Sequence, residues 1–208
     1  MQGICSPKFA AEAMKFRRRR PEKWNPEGSA LLILDMQDYF LRPESHAFVP
    51  GAPVILPRLK KLQDRFLAAG LPVVHTRHLN RPGRSGRMES WWRDLILESN
   101  PLSAVTSALN DPRVKVIVKS QYDAFYRTRL ESRLRTNGVR RLAVTGVVTH
   151  LCVETTIRSA FVRGFECFLP LDGTASWDDA FYRGSVRGLC HGFALPLKIN
   201  EILRGFAE

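Results

Sequence analysis

The chain alternates short apolar runs with stretches whose apolar residues recur at helical spacing. The apolar, largely β-branched runs predict strands that are buried on both faces, as in a parallel sheet. The predicted strands are Ala30–Met36, Leu71–Thr76, Val114–Val118, Arg141–Val148, Phe165–Leu169 and Ala194–Leu197. The predicted helices are Pro53–Ala69, Phe125–Asn137, Leu151–Gly164 and Trp177 to about His191. Six strands that alternate with helices predict an α/β fold with one parallel sheet, right-handed crossovers and helices on both faces.

The length and composition are those of one globular domain. With 208 residues, of which 44% are hydrophobic and 25% charged, the chain is long enough for one well-buried domain and short for two. We expect an N-terminal extension over residues 1–28 and a single domain over residues 29–208. No apolar run approaches the roughly 20 residues that cross a bilayer, so we do not expect a membrane protein.

Basic residues give the chain a net charge of +12 and include the run Arg17–Arg20. No apolar segment or small-residue cleavage site follows that run, which argues against an export signal and favours a cytoplasmic location. Most other basic residues are spread through predicted helices, where they are typical of solvated faces, so nucleic acid is not expected as a partner. Four cysteines without paired or metal-ligand spacing indicate neither disulfides nor a structural zinc site.

Cys152 is the first candidate for chemistry, because it lies where a predicted buried strand turns into a helix. Thr149 is a candidate N-cap of that helix and Gly164 a candidate C-cap. A thiol in the first helical turn meets free backbone N–H groups and the positive end of the helix dipole, which favour the thiolate. The sequence therefore predicts a nucleophile at this turn.

Asp35 and Lys119 stand at the ends of two other predicted strands. Because sites in open parallel sheets lie beyond the carboxyl ends of the strands, we expect both to converge with Cys152. Asp35 is suited to take the thiol proton and later pass it to a leaving amine, and Lys119 to lower the thiol pKa and keep Asp35 ionised. Backbone N–H groups of Cys152 and near Val148 are candidates for an oxyanion hole.

Three motifs, in this order and spacing, resemble those of the isochorismatase-like cysteine hydrolases. They are Leu34–Phe40 (LDMQDYF), Val118–Phe125 (VKSQYDAF) and Gly146–Thr156 (GVVTHLCVETT), and the resemblance extends from about Ala30 to the C-terminus. It implies a three-layer α/β/α fold and a catalytic triad of Asp35, Lys119 and Cys152. It also implies a cis peptide between Val147 and Val148, an oxyanion hole built from the amides of Val148 and Cys152, and a homo-oligomer, either a dimer or a tetramer.

The resemblance also bears on cofactors and substrate. Nicotinamidases of this family bind a metal through an Asp-x-His pair after the second strand, whereas the matching region here is Thr76–Asn80 (TRHLN). We therefore expect no catalytic metal and no organic cofactor, with His78 as a loop or pocket-wall residue. Isochorismatases proper commonly carry a small residue where Cys152 stands, so the thiol favours amide or carbamoyl hydrolysis. His150 stands where many relatives have an acid.

Residues beside the motifs are candidates for contact with a small-molecule substrate. Aromatic side chains next to the catalytic motifs, and two tryptophans in the irregular stretch 81–110, are candidates for the pocket wall. Arginines in the same region are suited to bind a substrate carboxylate bidentately. These candidates are Phe40, Tyr122, Phe125, Trp91, Trp92, Arg77, Arg84 and Arg87.

Three functional hypotheses follow. The leading one is a metal-independent cysteine hydrolase that cleaves the C–N bond of a small amide or ureido compound through a thioester on Cys152. The second is hydrolysis of a vinyl ether, as in isochorismatases, with Asp35 as general acid and Cys152 as a bystander. The third is a basic binding protein that keeps the fold without the activity.

Overall fold

One parallel sheet forms the centre of the molecule. The structure is a computed structural model that describes residues 3–19 and 24–206. Its strands are β1 (Ser29–Leu34), β2 (Val73–His78), β3 (Lys115–Lys119), β4 (Arg141–Val147), β5 (Glu166–Pro170), β6 (Thr174–Ala175) and β7 (Leu195–Leu197). They lie in the order β3-β2-β1-β4-β5-β7, and β6 pairs with β4. The six predicted strands are confirmed, and the two-residue β6 is an addition.

Helices cover both faces of the sheet, so the predicted three-layer α/β/α architecture is confirmed. They are α1 (Pro7–Ala13), α2 (Asp38–Leu41), α3 (Ala52–Ala68), α4 (Met88–Trp91), α5 (Leu130–Thr136), α6 (Glu154–Val162), α7 (Asp179–Gly192) and α8 (Ile199–Arg204). Helices α1, α5, α6 and α7 share one apolar core, and α3 and α8 share the other. Among the described residues, no helix combines the length and the apolar composition needed to cross a bilayer.

The central position of β1 explains why polar and apolar residues do not alternate along it. All six of its residues are buried, because β2 and β4 flank it and both faces are covered. Leu31 and Ile33 join the core beneath α3, whereas Leu32 and Leu34 join the core on the opposite face. Two apolar faces on one strand require a continuous apolar run, which here extends from Ala30 to Leu34 between Ser29 and Asp35.

The N-terminal segment contributes to the core of the domain. Helix α1 buries Phe9, Ala10 and Ala13, and the ring of Phe9 lies edge-on to that of Tyr182 in α7, with centroids 6.1 Å apart. The segment predicted as an extension is therefore packed against the sheet-covering helices over part of its length. The side chains of Arg17–Arg20 lie outside the described residues.

The predicted helix over Phe125–Asn137 is shorter than expected, since α5 begins only at Leu130. Local side-chain hydrogen bonds occupy the preceding backbone: Phe125 N donates to Asp123 Oδ1 at 2.8 Å, and Thr128 Oγ1 donates to Ala124 O at 2.6 Å. Arg127 also adopts a left-handed backbone, with φ of 53°. Such bonds compete with helical ones, which periodicity alone does not reveal.

Gly146 in β4 generates a prediction about stability. Its φ is +103°, and a Cβ built there would lie 2.1 Å from the carbonyl oxygen of Leu34 on the neighbouring strand. Gly146→Ala must push these two strands apart, so we expect it to lower the free energy of unfolding by roughly 2–4 kcal/mol. Urea unfolding followed by circular dichroism measures this change.

Gly184 offers a matched control. It lies in helix α7 and a Cβ there meets nothing within 4 Å, so Gly184→Ala should raise stability by up to about 1 kcal/mol. Equal stabilities of the Gly146→Ala protein and the unsubstituted protein would contradict the tight approach of β4 to β1.

Candidate active site

Asp35, Lys119 and Cys152 meet at the carboxyl edge of the sheet. Asp35 follows β1, Lys119 is the last residue of β3, and Cys152 lies in the turn after β4. Lys119 Nζ is 2.7 Å from Asp35 Oδ2 and 3.3 Å from Cys152 Sγ, and all three side chains are buried. Asp35 and Cys152, which are far apart in sequence, thus both contact the ammonium group of Lys119.

Asp35 is held from the neighbouring strand β2. Thr76 Oγ1 donates to Asp35 Oδ1 at 2.6 Å and accepts a hydrogen bond from Asp35 N at 3.1 Å. Asp35 also has a left-handed backbone, with φ of 51°, which turns the chain at the strand end. No hydrogen bond of standard geometry reaches Asp35 Oδ2, so its contact with Lys119 is ionic.

The opposite charges of Asp35 and Lys119 stabilise each other. Burial is the largest single influence and would raise the pKa of Asp35, but the Lys119 ammonium together with the other neighbouring polar groups holds that pKa below its ordinary value. Burial likewise opposes the charge on Lys119, but Asp35 and Cys152 raise the pKa of Lys119 above its ordinary value. Both groups are therefore charged at neutral pH, although neither side chain is exposed.

The protonation state of Cys152 differs from the thiolate that its predicted position at a helix terminus favours. Residues Thr149–Val153 form a π-helical turn before α6, and Thr149 Oγ1 has no hydrogen-bond partner, so Thr149 is not the expected cap. Burial, reinforced by Asp35, raises the pKa of Cys152 to about 12 despite Lys119. The resting thiol is therefore neutral, because burial and the Asp35 carboxylate outweigh the Lys119 ammonium. The peptide bond between Val147 and Val148 is cis, as the resemblance implies.

His78 links Lys119 to the wall of the pocket as a neutral ring. Ile96 N donates to Asn80 Oδ1 at 3.2 Å, so the oxygen of Asn80 faces His78 Nε2, also at 3.2 Å, and Nε2 carries the proton. His78 Nδ1 then accepts from Lys119 Nζ at 3.3 Å. Burial and the neighbouring ammonium lower the pKa of His78 to about 4, which agrees with this neutral form.

A pocket of about 200 Å³ opens above Cys152. Its lining combines five aromatic side chains, Tyr39, Phe40, Trp92, Tyr122 and Trp177, with the polar and charged residues His46, Arg93 and Asp94. Trp92 Nε1 donates to Tyr122 Oη at 2.7 Å. Val148, Leu151, His78 and Asn80 also line it. Since an apolar cavity of about 150 Å³ accepts benzene, the space is suited to one aromatic ring with a small substituent.

Only some of the predicted wall residues lie at this pocket. Phe40 and Tyr122 line it, together with Trp92. Phe125 instead lies in the core and stacks on Phe165, with ring centroids 5.9 Å apart. Trp91 is 70% exposed, and neither it nor the predicted carboxylate-binding residue Arg77 lines the pocket.

The predicted arginines and His150 do not line the pocket. Arg77 donates through Nε and Nη2 to the carbonyl and hydroxyl oxygens of Ser103, at 2.8 and 2.7 Å. Arg84 and Arg87 are exposed, and neither lines the pocket. His150 stacks on Phe181 with centroids 4.3 Å apart, and its Nδ1 lies 3.1 Å from Ser176 Oγ.

Several residues at the site are not among the predicted site residues. Thr76 positions Asp35, and Gln37 binds both backbone groups of His78, accepting from its N at 2.7 Å and donating to its O at 3.1 Å. Asn80 and Trp177 contribute to the pocket from loops. Gln37 and Asn80 each follow the end of a buried strand by two or three residues, and a polar residue at such a position is the sequence signal that predicts them as site residues.

Comparison with known proteins identifies the family. The family model described as the isochorismatase domain matches residues 29–201. The chain belongs to the isochorismatase family. Its fold and the positions of Asp35, Lys119 and Cys152 agree with the resemblance of the three sequence motifs.

Relatives of this family member include several hydrolases. Nicotinamidase 3 of Arabidopsis thaliana is 32% identical over 193 residues, which cover 90% of this chain and 92% of that protein. Streptothricin hydrolase of Streptomyces noursei is 35% identical over 72% of this chain and 55% of its own length. A cysteine hydrolase from Pseudomonas syringae pv. phaseolicola has a solved structure with a TM-score of 0.84 and 27% identity, covering 89% of this chain and 96% of that one.

The site does not fit a resident metal ion. Ligand atoms of Asp35, His78 and Cys152 lie within 4.8 Å of one another, which is the spacing of a metal site. However, Lys119 Nζ already lies 2.7–3.3 Å from all three side chains, so a cation there would meet the ammonium directly. His78 Nε2 is also engaged with Asn80. The ammonium group of Lys119 therefore already lies where a metal ion would contact these three side chains.

The melting temperature tests whether a metal binds there. A metal that binds the native state stabilises it, so a resident site would make the melting temperature depend on metal. We expect the same melting temperature after treatment with EDTA and after addition of excess Zn²⁺. An increase with Zn²⁺ that disappears in Cys152→Ala would place a metal at the site and contradict this expectation.

Two buried histidines predict how stability changes with pH. Burial lowers the pKa of His75 to about 4, as it does for His78, from an ordinary value of 6.5. The unfolded chain therefore binds more protons, and the stability present above pH 6.5 is lost as the pH falls towards 4. The free energy of unfolding should fall by up to about 2.7 kcal/mol per pH unit for the two groups together.

A variant of His75 checks the origin of this slope. His75 Nε2 lies 2.7 Å from Gln63 Oε1, and Gln63 Nε2 donates to Leu109 O, so the ring donates to the amide oxygen. His75→Gln retains a donor but no titrating group, and it should reduce the slope between pH 6.5 and 5 by about half. Urea unfolding at a series of pH values measures it; an unchanged slope would show that His75 contributes nothing.

Proposed function

We propose that this isochorismatase-family hydrolase cleaves the C–N bond of a small amide, ureido or carbamoyl compound through a thioester on Cys152. The observation that carries the proposal is the shared ammonium of Lys119, which contacts both a buried carboxylate and a buried thiol at the base of an aromatic pocket. This arrangement provides a nucleophile, a proton acceptor and a fixed positive charge in one water-poor site.

The first half-reaction forms the thioester. Asp35 accepts the proton of Cys152 while the sulfur attacks the substrate carbonyl carbon, and the backbone amides of Val148 and Cys152 stabilise the oxyanion. Because the pKa of the thiol is raised to about 12, proton removal accompanies attack rather than preceding it. The tetrahedral intermediate collapses, the C–N bond breaks, and protonated Asp35 gives its proton to the departing amine.

The second half-reaction returns the enzyme to its resting state. Asp35, again ionised, takes a proton from a water molecule as the oxygen attacks the thioester carbon. The C–S bond then breaks, the product acid leaves, and the thiolate of Cys152 regains its proton from Asp35. Lys119 remains charged throughout and compensates whichever of the carboxylate and the thiolate is negative.

Cleavage of a vinyl ether with Asp35 as general acid has less support. A general acid must hold a proton before the reaction starts, whereas Lys119 keeps the pKa of Asp35 below its ordinary value. The similarity to a nicotinamidase over 90% of the chain also favours an aromatic amide as the substrate. A binding protein without activity makes no use of the buried triad.

Replacement of the nucleophile tests the mechanism. A panel of small aromatic amides, carbamoyl compounds and isochorismate identifies a substrate, and Cys152→Ala should lower kcat/KM for it by at least about 10³-fold. Cys190→Ala is the matched control, since Cys190 is also buried and burial also raises its pKa to about 12, yet it lies away from the pocket. We expect the control to retain the parent rate within about twofold.

Intact-mass measurement during turnover separates the hypotheses. An acyl adduct on Cys152 is expected only if a thioester forms, and Cys167 and Cys190 act as internal controls. Isochorismate cleavage that survives Cys152→Ala without an adduct would establish the vinyl ether reaction instead. Absence of any hydrolysis across the panel would favour a binding protein.

A further inference from the structure

A second concave space lies among helices α1, α3 and α8, away from the active site. It has a volume of about 1030 Å³, and none of its described lining residues lines the pocket above Cys152. We call this space the basic cleft, because an apolar wall from α1 meets basic side chains from α3 and from α8 with the residue before it. The apolar wall consists of Pro7, Ala10, Ala11 and Met14, and the cations are Lys61, Arg65, Lys198 and Arg204.

The cations of the basic cleft lack the acidic partners that other helices supply. Helices α6 and α7 pair their arginines with carboxylates, as in the contact of 2.6 Å between Arg158 and Glu154. Within the described part of the chain, by contrast, no carboxylate lies within 4.0 Å of the charged nitrogens of Lys61, Lys198 or Arg204. Like charges around one concave surface produce a positive potential that its low-dielectric walls focus. An anion in the cleft would therefore be stabilised.

Two further charged residues of the cleft are held in place. Arg65 is half-buried, donates through Nη2 to Phe206 O at 2.6 Å and lies 4.8 Å from the centre of the Phe206 ring. Glu201 is the one acid among the described residues of the lining, and its Oε2 accepts from Lys198 N at 2.8 Å at the start of α8. Lys61, Lys198 and Arg204 are exposed, so their charged groups can reach a ligand.

The sequence continues from the apolar wall into a basic run. Met14 lines the cleft, and the run Arg17–Arg20 begins three residues later. The side chains of this run lie outside the described residues, and the proposed hydrolase mechanism makes no use of them. Positive charge thus accumulates along the chain beside a cleft that already contains unpaired cations.

We propose that the basic cleft binds an organic diphosphate, with its phosphates on Lys61, Lys198 and Arg204 and its apolar part against Ala11 and Met14. Lysine binds phosphate as a point charge, and arginine binds it through paired N–H donors. A concave space bounded by three helices favours a small ligand over a polynucleotide, which needs an extended track. The inference is independent of the proposed hydrolase function, because the cleft and the pocket share no described residue.

Calorimetry with ADP, pyrophosphate and adenosine on the full chain tests this inference. ADP should bind more tightly than pyrophosphate, at least about tenfold more tightly than adenosine, and more weakly as the salt concentration rises. Lys61→Glu combined with Arg204→Glu should weaken the binding of ADP at least about tenfold. Ala11→Trp fills the cleft without changing the charge, and it should also weaken ADP binding.

A double variant elsewhere on the surface is the matched control. Arg129→Glu combined with Arg133→Glu makes the same change in net charge at two exposed residues that do not line the cleft, and it should leave the affinity for ADP within about twofold. Equal losses in the two double variants would show general electrostatic attraction and overturn the inference. Absence of ADP binding at low salt, or unchanged affinity in the cleft variants, would also overturn it. An oligo(dT) decamer that binds where ADP does not would identify a contact for nucleic acid instead.

Discussion

The buried ion pair between Asp35 and Lys119 is the interaction on which the rest of the site depends. Neither side chain is exposed, and the carboxylate and the ammonium lie 2.7 Å apart. Removing one member of such a pair leaves an uncompensated buried charge, which costs about 3–5 kcal/mol. Because β2 lies between β1 and β3 in the sheet, the pair joins two strand ends across a third. It therefore sets the geometry of the carboxyl edge as well as its charge.

The intervening strand β2 supplies the side chains that bind Asp35 and Lys119. These side chains lie on one face of β2, because successive side chains along a strand point to opposite faces. Thr76 binds Asp35 and His78 binds Lys119, two residues apart on the same side. Arg77 stands between them and instead donates to Ser103. The same alternation explains why an arginine so close in sequence to the triad does not line the pocket.

The sequence predicts the strands and the convergence of the triad well, because both depend on burial and on parallel topology. The backbone from Asp123 to Leu130 is predicted less well, since local side-chain hydrogen bonds replace helical ones. The protonation of Cys152 depends on how deeply the turn is buried, which no motif encodes. Trp92 and Asn80 lie in or beside a stretch without periodicity, so their places in the wall follow only from the folded loop.

Lys119 has three N–H groups but four polar neighbours, namely Asp35 Oδ2, Gln121 O, His78 Nδ1 and Cys152 Sγ. Three of them, Gln121 O, His78 Nδ1 and Cys152 Sγ, are hydrogen-bonded to the ammonium, and the contact with Asp35 Oδ2 is ionic. The two contacts of 3.3 Å, to a neutral ring and to a neutral thiol, are the longer ones. When negative charge develops on sulfur in the proposed reaction, an N–H group of Lys119 already faces it, so the long contact with the thiol is the one that gains strength.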